Sequence, residues 1–370
     1  MAWVIKPSFL IICRVMLRFS LIVYLHLFCS LLLNAQELLK RVIINTCCDT
    51  TYSSQQVLVS STLLKNVDRE VEEFVVYDNV LYYISSNGEA IFRYNIKNRE
   101  SSIIGTRAKS LKYSYRTLNV NKDGVVTVSG IEPSGFRVYN IVGDNVLALL
   151  SIERGATLNC CATTIENMVV ATSNFKEGPV KIKKCSGEFI DNSIEYPIHP
   201  LRYSSRVKYM AFAPPKLTSN IDLNRFAILF GNGLATLKIF DVKKNSVSNV
   251  VESIVDTIQA DMPFRLVGGD TLLLDYVVEK KRRCAIDIVS NDKIFVLYNS
   301  YSSGTIAKAN MGDTILEFDW SGNLLRCHKL TNSLNRILYD YATNKFYGIV
   351  FPSSRNIFHL MYEITLLNVE

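Results

Sequence analysis

A unit of two short strands around a polar turn recurs along this chain. Its clearest copy has a first strand over Asp78–Ile84, a turn at Ser86–Gly88, and a second strand over Ala90–Ile96. Apolar and aromatic residues of the kind that strands favour recur in both strands, and the turns carry the Asn, Asp and Gly residues that tight hairpins require. The pattern predicts an all-β protein. Weaker copies follow at Val125–Tyr139, Met168–Lys184, Arg225–Asp241, Lys293–Phe318 and Lys345–Ile364.

The spacing of these units predicts their arrangement. Comparable first-strand positions lie 44, 44, 58, 68 and 51 residues apart, at Leu81, Val125, Val169, Ala227, Phe295 and Phe346. Strand repeats of ~40 to 50 residues point to a β-propeller, whose closed ring leaves only short sheet edges. We expect a six-bladed β-propeller of four-stranded antiparallel blades. An N-terminal strand at Val42–Asn45 is expected to close the ring by pairing with Tyr362–Leu366, since an open ring would leave edges unpaired.

Residues 1–35 have the features of a secretory signal peptide. They contain no acidic residue, and an apolar run over Phe19–Leu33 ends shortly before the small residue Ala35. A positive start, an apolar stretch and a small residue before the cleavage site define such a signal. The basic residues are Lys6, Arg14 and Arg18. We expect cleavage after Ala35, export, and a single propeller domain over residues 36–370.

Two alternatives concern membrane attachment and the start of translation. The apolar run has 15 residues, whereas a spanning helix needs ~20, so cleavage is favoured over an uncleaved anchor. Cys29 is the one candidate for lipid attachment, and the bulky Phe28 before it argues against that modification. Met16 begins a complete signal by itself and is an alternative start.

The net charge excludes one class of partner. The chain carries 41 basic and 34 acidic residues, a net of +7, of which three charges lie in the signal peptide. The remaining charge is too small and too evenly spread to indicate nucleic acid. The dense basic run Lys280–Arg283 fits a solvated hairpin tip better than a binding patch. We expect no nucleic-acid partner, and membrane attachment only through a lipid or an uncleaved signal.

Seven of the nine cysteines follow the signal peptide: Cys47, Cys48, Cys160, Cys161, Cys185, Cys284 and Cys327. Export permits disulfides, but an odd number leaves at least one thiol without a partner in the same chain. The spacing matches no zinc motif. Adjacent strand residues face opposite sides of a sheet, so we expect no disulfide between Cys160 and Cys161. Buried cysteines are expected to act as small apolar residues.

Residues for acid–base or nucleophilic chemistry are scarce. The histidines after the signal are isolated, without metal-binding spacing, and packing or surface roles are favoured for His199, His328 and His359. Within Leu324–Leu330, His328 stands where the alternation of the strand places an exposed residue. The sequence contains no Gly-x-Ser-x-Gly elbow, and we place Ser129–Gly130 and Ser134–Gly135 in turns.

Acidic residues offer candidate sites without a motif. Facing carboxylates would indicate a glycosidase, and the candidates are Asp261, Asp270, Asp275, Asp313 and Asp319. We expect Asp313 and Asp319 to accept turn hydrogen bonds. Asn119–Gly124 comes nearest to a calcium loop, but Lys122 and the missing later Glu, where Gly130 stands, favour a turn. We therefore assign no catalytic, cofactor-binding or metal-ligating residue, and no cofactor.

The C-terminal part of the chain resembles a known family. Asp292–Asn299, Gly312–Asn323 and Tyr339–Ile349 carry the resemblance, including the blade turn Phe-Asp-Trp-Ser-Gly-Asn. These segments are similar to the closing part of the TolB-like six-bladed propellers, over roughly residues 285–365. The resemblance implies an exported or lipid-anchored protein of the bacterial cell envelope, and it supplies no catalytic residue.

Two functions from different classes remain open. The favoured one is a non-catalytic binding or scaffold module of the periplasm or cell surface, a monomer that recognises a protein or glycan at the channel mouth. The alternative is a propeller hydrolase or lyase acting on polysaccharide or small esters. Carboxylates converging in a deep channel would favour the enzyme, and a shallow aromatic mouth would favour binding.

Overall fold

The computed structural model divides into two compact units, residues 1–49 and 50–370. The structure describes residues 52–63, 73–85, 88–106, 114–132, 135–142, 145–153, 157–163, 168–173, 180–183, 189–194, 216–230, 236–243, 246–251, 264–267, 270–273, 285–299, 311–352 and 359–366. All of these belong to the second unit. The predicted signal peptide, its cleavage site and Met16 lie outside the described residues.

The described chain is built of strands and turns, as the recurring strand and turn pattern of the sequence predicts. The N-terminal strand is β1 (Tyr52–Leu63). Two sheets follow, formed by β2 (Phe74–Tyr77), β3 (Val80–Ile84), β4 (Ala90–Asn95) and β5 (Ser101–Thr106), then by β6 (Ser114–Val120), β7 (Val126–Glu132), β8 (Gly135–Val142) and β9 (Asn145–Glu153). Among the described residues, no helix is long and apolar enough to cross a bilayer.

The middle of the chain forms two further four-stranded sheets and a two-stranded one. The first two contain β10 (Thr157–Thr163), β11 (Met168–Ser173), β12 (Val180–Lys183) and β13 (Phe189–Ile194), then β14 (Lys216–Asn220), β15 (Arg225–Phe230), β16 (Thr236–Asp241) and β17 (Ser246–Val251). The two-stranded sheet pairs β18 (Phe264–Val267) with β19 (Asp270–Leu273).

The last strands belong to one eight-stranded sheet. They are β20 (Ala285–Ser290), β21 (Ile294–Tyr298), β22 (Gly312–Phe318), β23 (Leu324–Leu334), β24 (Arg336–Asp340), β25 (Lys345–Val350) and β26 (His359–Leu366). β1 joins the two halves of this sheet, because it pairs antiparallel with β26 and parallel with β23. The parallel contact is short: Tyr52 pairs with His328, and Ser53 pairs with Lys329.

The fold is an all-β propeller, but the predicted six-bladed propeller of four-stranded antiparallel blades is wrong. Among the described strands, the large sheets number five, and one of them has eight strands. Counted as hydrogen-bonded sheets, the propeller therefore has five blades, one of double width, with β18–β19 as an additional ribbon. The physical reason is the parallel pairing of β1 with β23, which fuses two sets of strands that the hairpin rhythm presents as separate.

Each successive set of hairpin-connected strands begins with a strand that we call its inner strand. Each inner strand lies next to the inner strand of the neighbouring set. β2 contacts β6, β6 contacts β10, and the series continues through β14, β20 and β24 back to β2. Each set has an even number of antiparallel strands, so the chain returns to the same end of the ring before the next inner strand begins. The inner strands therefore all start at one end of the axis, which we call the entrance mouth.

The ring closes through β1. This strand runs along β26, with Gln56 opposite Ile364 and Leu58 opposite Tyr362. The Gln56 side chain donates to Asn332 O at 3.1 Å and accepts from Asn332 N at 2.5 Å. The predicted closure by Val42–Asn45 is wrong for this edge, because β25 and β1 already occupy both sides of β26; residues 42–45 themselves lie outside the described ranges.

Buried aromatic residues and one carboxylate hold the first and last blades together. Phe74 packs with Leu338, Tyr347 and Met361 in one buried cluster. At the end of β24, the Asp340 carboxylate accepts hydrogen bonds from the backbone N–H groups of residues 78 and 79, both at 2.8 Å. Such buried backbone groups need partners, so this carboxylate fixes the spacing of the two inner strands.

Candidate functional site

The central channel contains a cavity of about 90 Å³. Its described lining comes from the inner strands β2, β6, β14, β20 and β24. Ordinary small-molecule pockets measure ~300 to 1,000 Å³, so this cavity is small. Within the described part of the channel, this cavity has space for a compact group.

Among the described residues, four charged side chains line this cavity, and we call them the mouth charges: Glu73, Lys216, Asp287 and Arg336. Glu73 directly precedes β2, and the cations open β14 and β24, so these three stand at the entrance mouth. Lys216 Nζ lies 2.7 Å from Glu73 Oε1, and Arg336 Nη2 lies 3.8 Å from the same oxygen. In the ring order β14 lies opposite β2, so the Lys216–Glu73 pair spans the channel.

The Lys216–Glu73 pair is reachable from solvent, because these side chains are 26% and 25% exposed. Arg336 is more enclosed. Its guanidinium lies 5.5 Å from the centre of the Phe351 ring and donates to Asn335 O at 3.3 Å. Stacking and hydrogen bonding of this kind hold a guanidinium in one orientation. The entrance mouth is therefore a fixed arrangement of both signs of charge.

Asp287 lies deeper, on β20, and is 7% exposed. Burial raises the pKa of its carboxyl, against the attraction of Arg336 and Lys216, while the nearby Glu73 raises it further. Its Oδ2 accepts a hydrogen bond of 3.1 Å from the backbone N–H of Ile337. Within the described part of the chain, the structure gives its Oδ1 no hydrogen bond. A buried carboxyl with a raised pKa beside a cavity marks a candidate functional group.

Neutral hydroxyl groups line the channel toward its opposite end. Thr218 Oγ1 and Ser290 Oγ lie 2.7 Å apart, and Ser290 also donates to Ser219 O at 3.0 Å. Burial raises the pKa of Tyr341 to about 12, in spite of its hydrogen bonds with Ser290 and Thr218. These groups satisfy one another, so the charge of the described channel lies at the mouth side.

The predicted surface position of His328 is wrong. The side chain is fully buried on β23, and its Nε2 lies 3.0 Å from Glu317 Oε2. Lys293 Nζ lies 2.6 Å from the other oxygen of the same carboxylate. Burial acts to raise the pKa of Glu317, but hydrogen bonds from His328 and Lys293 outweigh it and lower the pKa to about 2. This cluster lies away from the cavity lining and stabilises its blade.

The predicted packing role of His359 agrees with its position. The ring is buried, with its centre 5.4 Å from the Phe74 ring and 5.7 Å from the Phe351 ring, both edge-on. His199 lies outside the described residues. Neither described histidine lines the cavity.

The two described candidate carboxylates, Asp313 and Asp319, have separate surroundings. Asp319 accepts hydrogen bonds from the backbone N–H groups of Ser321 and Asn323 at 2.9 and 2.8 Å, which confirms its predicted turn role. Asp313 instead lies in β22, where it pairs with Lys329 at 2.5 Å, so its predicted turn role is wrong. The structure does not describe the side chains of Asp261, Asp270 and Asp275.

The turn prediction for Asn119–Gly124 is confirmed. Asn121 Oδ1 accepts from the backbone N–H groups of Asp123 and Val125 at 3.0 and 2.9 Å. Gly124 has a φ of +79°, which favours glycine. Among the described residues, no group of three or more His, Cys, Asp or Glu is placed to hold a metal ion.

Other predicted positions give mixed outcomes. The turn placement of Ser129–Gly130 is wrong, because both residues lie inside β7, where Ser129 is buried and hydrogen-bonded to Thr117. Gly135 begins β8, and Ser134 lies outside the described residues. Cys160 and Cys161 occupy successive positions of β10, opposite Ala171 and Val170. Lys280–Arg283, Cys47, Cys48, Cys185 and Cys284 also lie outside the described residues. Cys327 is described and is buried.

No contiguous sequence motif contains the mouth charges. They come from separate inner strands that are up to 263 residues apart in the chain, from Glu73 to Arg336. One local pattern could have found three of them: a charged residue stands directly before or at the start of an apolar inner strand in Glu73–Tyr77, Lys216–Asn220 and Arg336–Asp340. A side chain at that position points to the mouth once the inner strands are known.

The comparisons with known proteins support the fold. No model of a protein family matches the sequence, and a search of curated proteins found no match. Among solved structures, a luciferin-regenerating enzyme is similar at 11% identity and a TM-score of 0.51, over 86% of this chain and 97% of that one. An auxiliary nutrient-binding protein from Bacteroides thetaiotaomicron is similar at 11% identity and a TM-score of 0.47, over 84% and 77%. At this identity, the similarity to the luciferin-regenerating enzyme shows the fold alone.

Proposed function

We propose that this chain is an exported, non-catalytic β-propeller that binds a protein partner at its entrance mouth. The observation that carries the proposal is the fixed and accessible arrangement of mouth charges, with the Lys216–Glu73 pair at 2.7 Å and about one quarter exposed. Side chains that are already ordered lose little entropy on binding. A rim with both signs of charge selects a partner with the complementary pattern.

The second candidate function is a hydrolase or lyase, and one observation favours it. Asp287, whose pKa is raised by burial, lines the same cavity as Glu73, so two carboxyl groups in different surroundings share the channel. Two features favour binding instead. Glu73 is already ion-paired with Lys216, and a cavity of about 90 Å³ is small for a sugar unit with its catalytic water.

The proposed location is the bacterial cell envelope. The charged and apolar pattern of residues 1–35 supports export, and the resemblance of residues 285–365 to TolB-like propellers supports the compartment. The mature protein is proposed to be a monomer beginning near Gln36. N-terminal sequencing of protein recovered from an envelope fraction tests this, and a lipid-modified Cys29 at the mature terminus would contradict it.

The test of the function combines capture with turnover. Purified propeller is immobilised and exposed to envelope extract, and the retained material is analysed before and after protease or glycosidase treatment. Retention of a protein that is lost in Lys216→Glu but kept in Lys122→Glu supports the proposal, since Lys122 forms an equivalent pair with Asp222 at 2.6 Å on the exposed surface. Retention of glycan alone, or hydrolysis abolished by Asp287→Asn, would overturn it.

A further inference from the structure

We propose that the channel cavity binds a small zwitterion, an amino acid the size of glycine or alanine. Its ammonium group lies at Asp287 Oδ1, and its carboxylate faces Arg336 and Lys216. This goes beyond the proposed binding of a protein partner and adds a small ligand in the cavity behind the same entrance mouth. Three observations carry it: an acceptor without a partner in the described chain, the balance of charge, and the size of the space.

The acceptor is the buried carboxyl of Asp287. More than nine tenths of this residue is buried, and it lines the cavity. Oδ2 accepts from the Ile337 N–H, whereas Oδ1 has no hydrogen bond within the described chain. Oδ1 can therefore accept a hydrogen bond from a donor inside the cavity. An ammonium group supplies such a donor and forms a charge-assisted bond.

The charge balance of the lining selects a ligand with both signs. Within the described part of the lining, Glu73 and Asp287 bring negative charge, and Lys216 and Arg336 bring an equal positive charge. A ligand with a single charge would meet two groups of its own sign in a partly desolvated space, which costs free energy. A zwitterion places its ammonium near Asp287 and its carboxylate near the cations. The planar guanidinium of Arg336 suits a carboxylate in particular.

The space limits the size of the ligand. A water molecule requires ~10 to 15 Å³ of this kind of volume, so about 90 Å³ holds roughly six waters. The non-hydrogen atoms of glycine or alanine fill a comparable space. The side chain of leucine does not fit in addition. Polar Thr117 and Asn119 and apolar Val75 and Leu118 complete this part of the wall, which allows a methyl group but no further charge.

The ligand enters from the mouth side. The ion pair between Lys216 and Glu73 spans the channel, and a quarter of each side chain is exposed. The Lys216 ammonium has three donors, so it can donate to a bound carboxylate while it stays paired with Glu73.

Isothermal titration calorimetry of the whole protein tests the inference with matched ligands. Glycine and alanine are expected to bind, acetate and glycinamide to bind at least tenfold more weakly because each lacks one charge, and leucine to bind undetectably. Asp287→Asn is expected to weaken glycine binding tenfold or more, since the acceptor loses its negative charge and the hydrogen bond from the ammonium is no longer assisted by charge. Lys122→Gln, at an exposed turn at the far end of β6, is the control and is expected to bind as the unmodified protein does.

A second variant covers the case in which Asp287→Asn does not fold. Lys216→Gln changes a partly exposed side chain, and it is expected to weaken glycine binding while glycinamide binding changes little. Equal affinity for glycine and acetate, or unchanged glycine binding in Lys216→Gln, overturns the inference. If glycine does not bind while a protein partner is still captured at the mouth, the inference falls and the proposed function stands. If neither is retained, both fall.

Discussion

Glu317 offers the sharpest test of the electrostatics inside a blade. Its pKa of about 2, against an ordinary value of 4.5, corresponds to about 3 kcal/mol of stability at ~1.4 kcal/mol per unit. Lys293, one of the two partners, is 35% exposed, so screening reduces this to about 2 kcal/mol. Because the folded-state pKa is depressed, this stability is present above pH 4.5 and is lost as the pH falls toward 2. Glu317→Gln is therefore expected to lose about 2 kcal/mol at pH 7 and much less at pH 2.5.

Urea unfolding followed by circular dichroism at both pH values measures this difference by linear extrapolation. The matched control is Glu363→Gln, which breaks a pair with Lys345 at 3.0 Å whose side chains are 34% and 44% exposed. Exposed pairs contribute little, so the control is expected to lose no more than about 0.5 kcal/mol. An equal loss for Glu317→Gln at pH 7 and pH 2.5, or a control as damaging as the variant, would refute the reasoning.

Three further predictions concern closure, packing and thiols. Gln56→Ala removes both hydrogen bonds with Asn332 and is expected to lower the free energy of urea unfolding by about 1 kcal/mol; an unchanged value would show that β1 is held without them. Gly348→Ala places a Cβ 2.4 Å from Leu334 Cδ1 in a buried site and is expected to cost about 1 to 3 kcal/mol in the same assay, whereas wild-type stability would contradict the packing. Mass spectrometry of alkylated, unreduced protein is expected to find Cys160 and Cys161 both alkylated, and a peptide two hydrogens lighter would reveal the disulfide that we exclude.

The fold class could be predicted because its information is local. Apolar and aromatic residues set each strand, and turn residues such as Asp319 and Gly124 set the hairpins. The arrangement of blades depends on a contact without a local pattern. Tyr52 pairs with His328, 276 residues away, and no feature of either segment predicts a parallel pairing. The predicted closing strand at Val42–Asn45 failed for the same reason, since several β-branched runs could occupy one edge.

The candidate site could not be predicted, because the ring assembles it from distant strands. Glu73 and Lys216 are 143 residues apart and form an ion pair across the channel. The burial of His328 could not be predicted from the sequence either. His328 follows the alternation of an exposed residue, yet it is fully buried, and Glu317 on the adjacent strand provides the partner that makes its burial tolerable. Alternation identifies the two faces of a strand, but both faces of a propeller blade are packed.

The most direct test of the central claim is the dissociation constant of the captured protein partner for the unmodified propeller and for two charge reversals, Lys216→Glu and Lys122→Glu. Both reversals break a lysine–carboxylate pair of 2.6 to 2.7 Å, and they differ in whether the pair lies at the entrance mouth. Lys216→Glu is expected to bind the partner at least tenfold more weakly, and Lys122→Glu is expected to bind it as the unmodified propeller does. Equal binding by all three proteins would contradict the assignment of function to the entrance mouth.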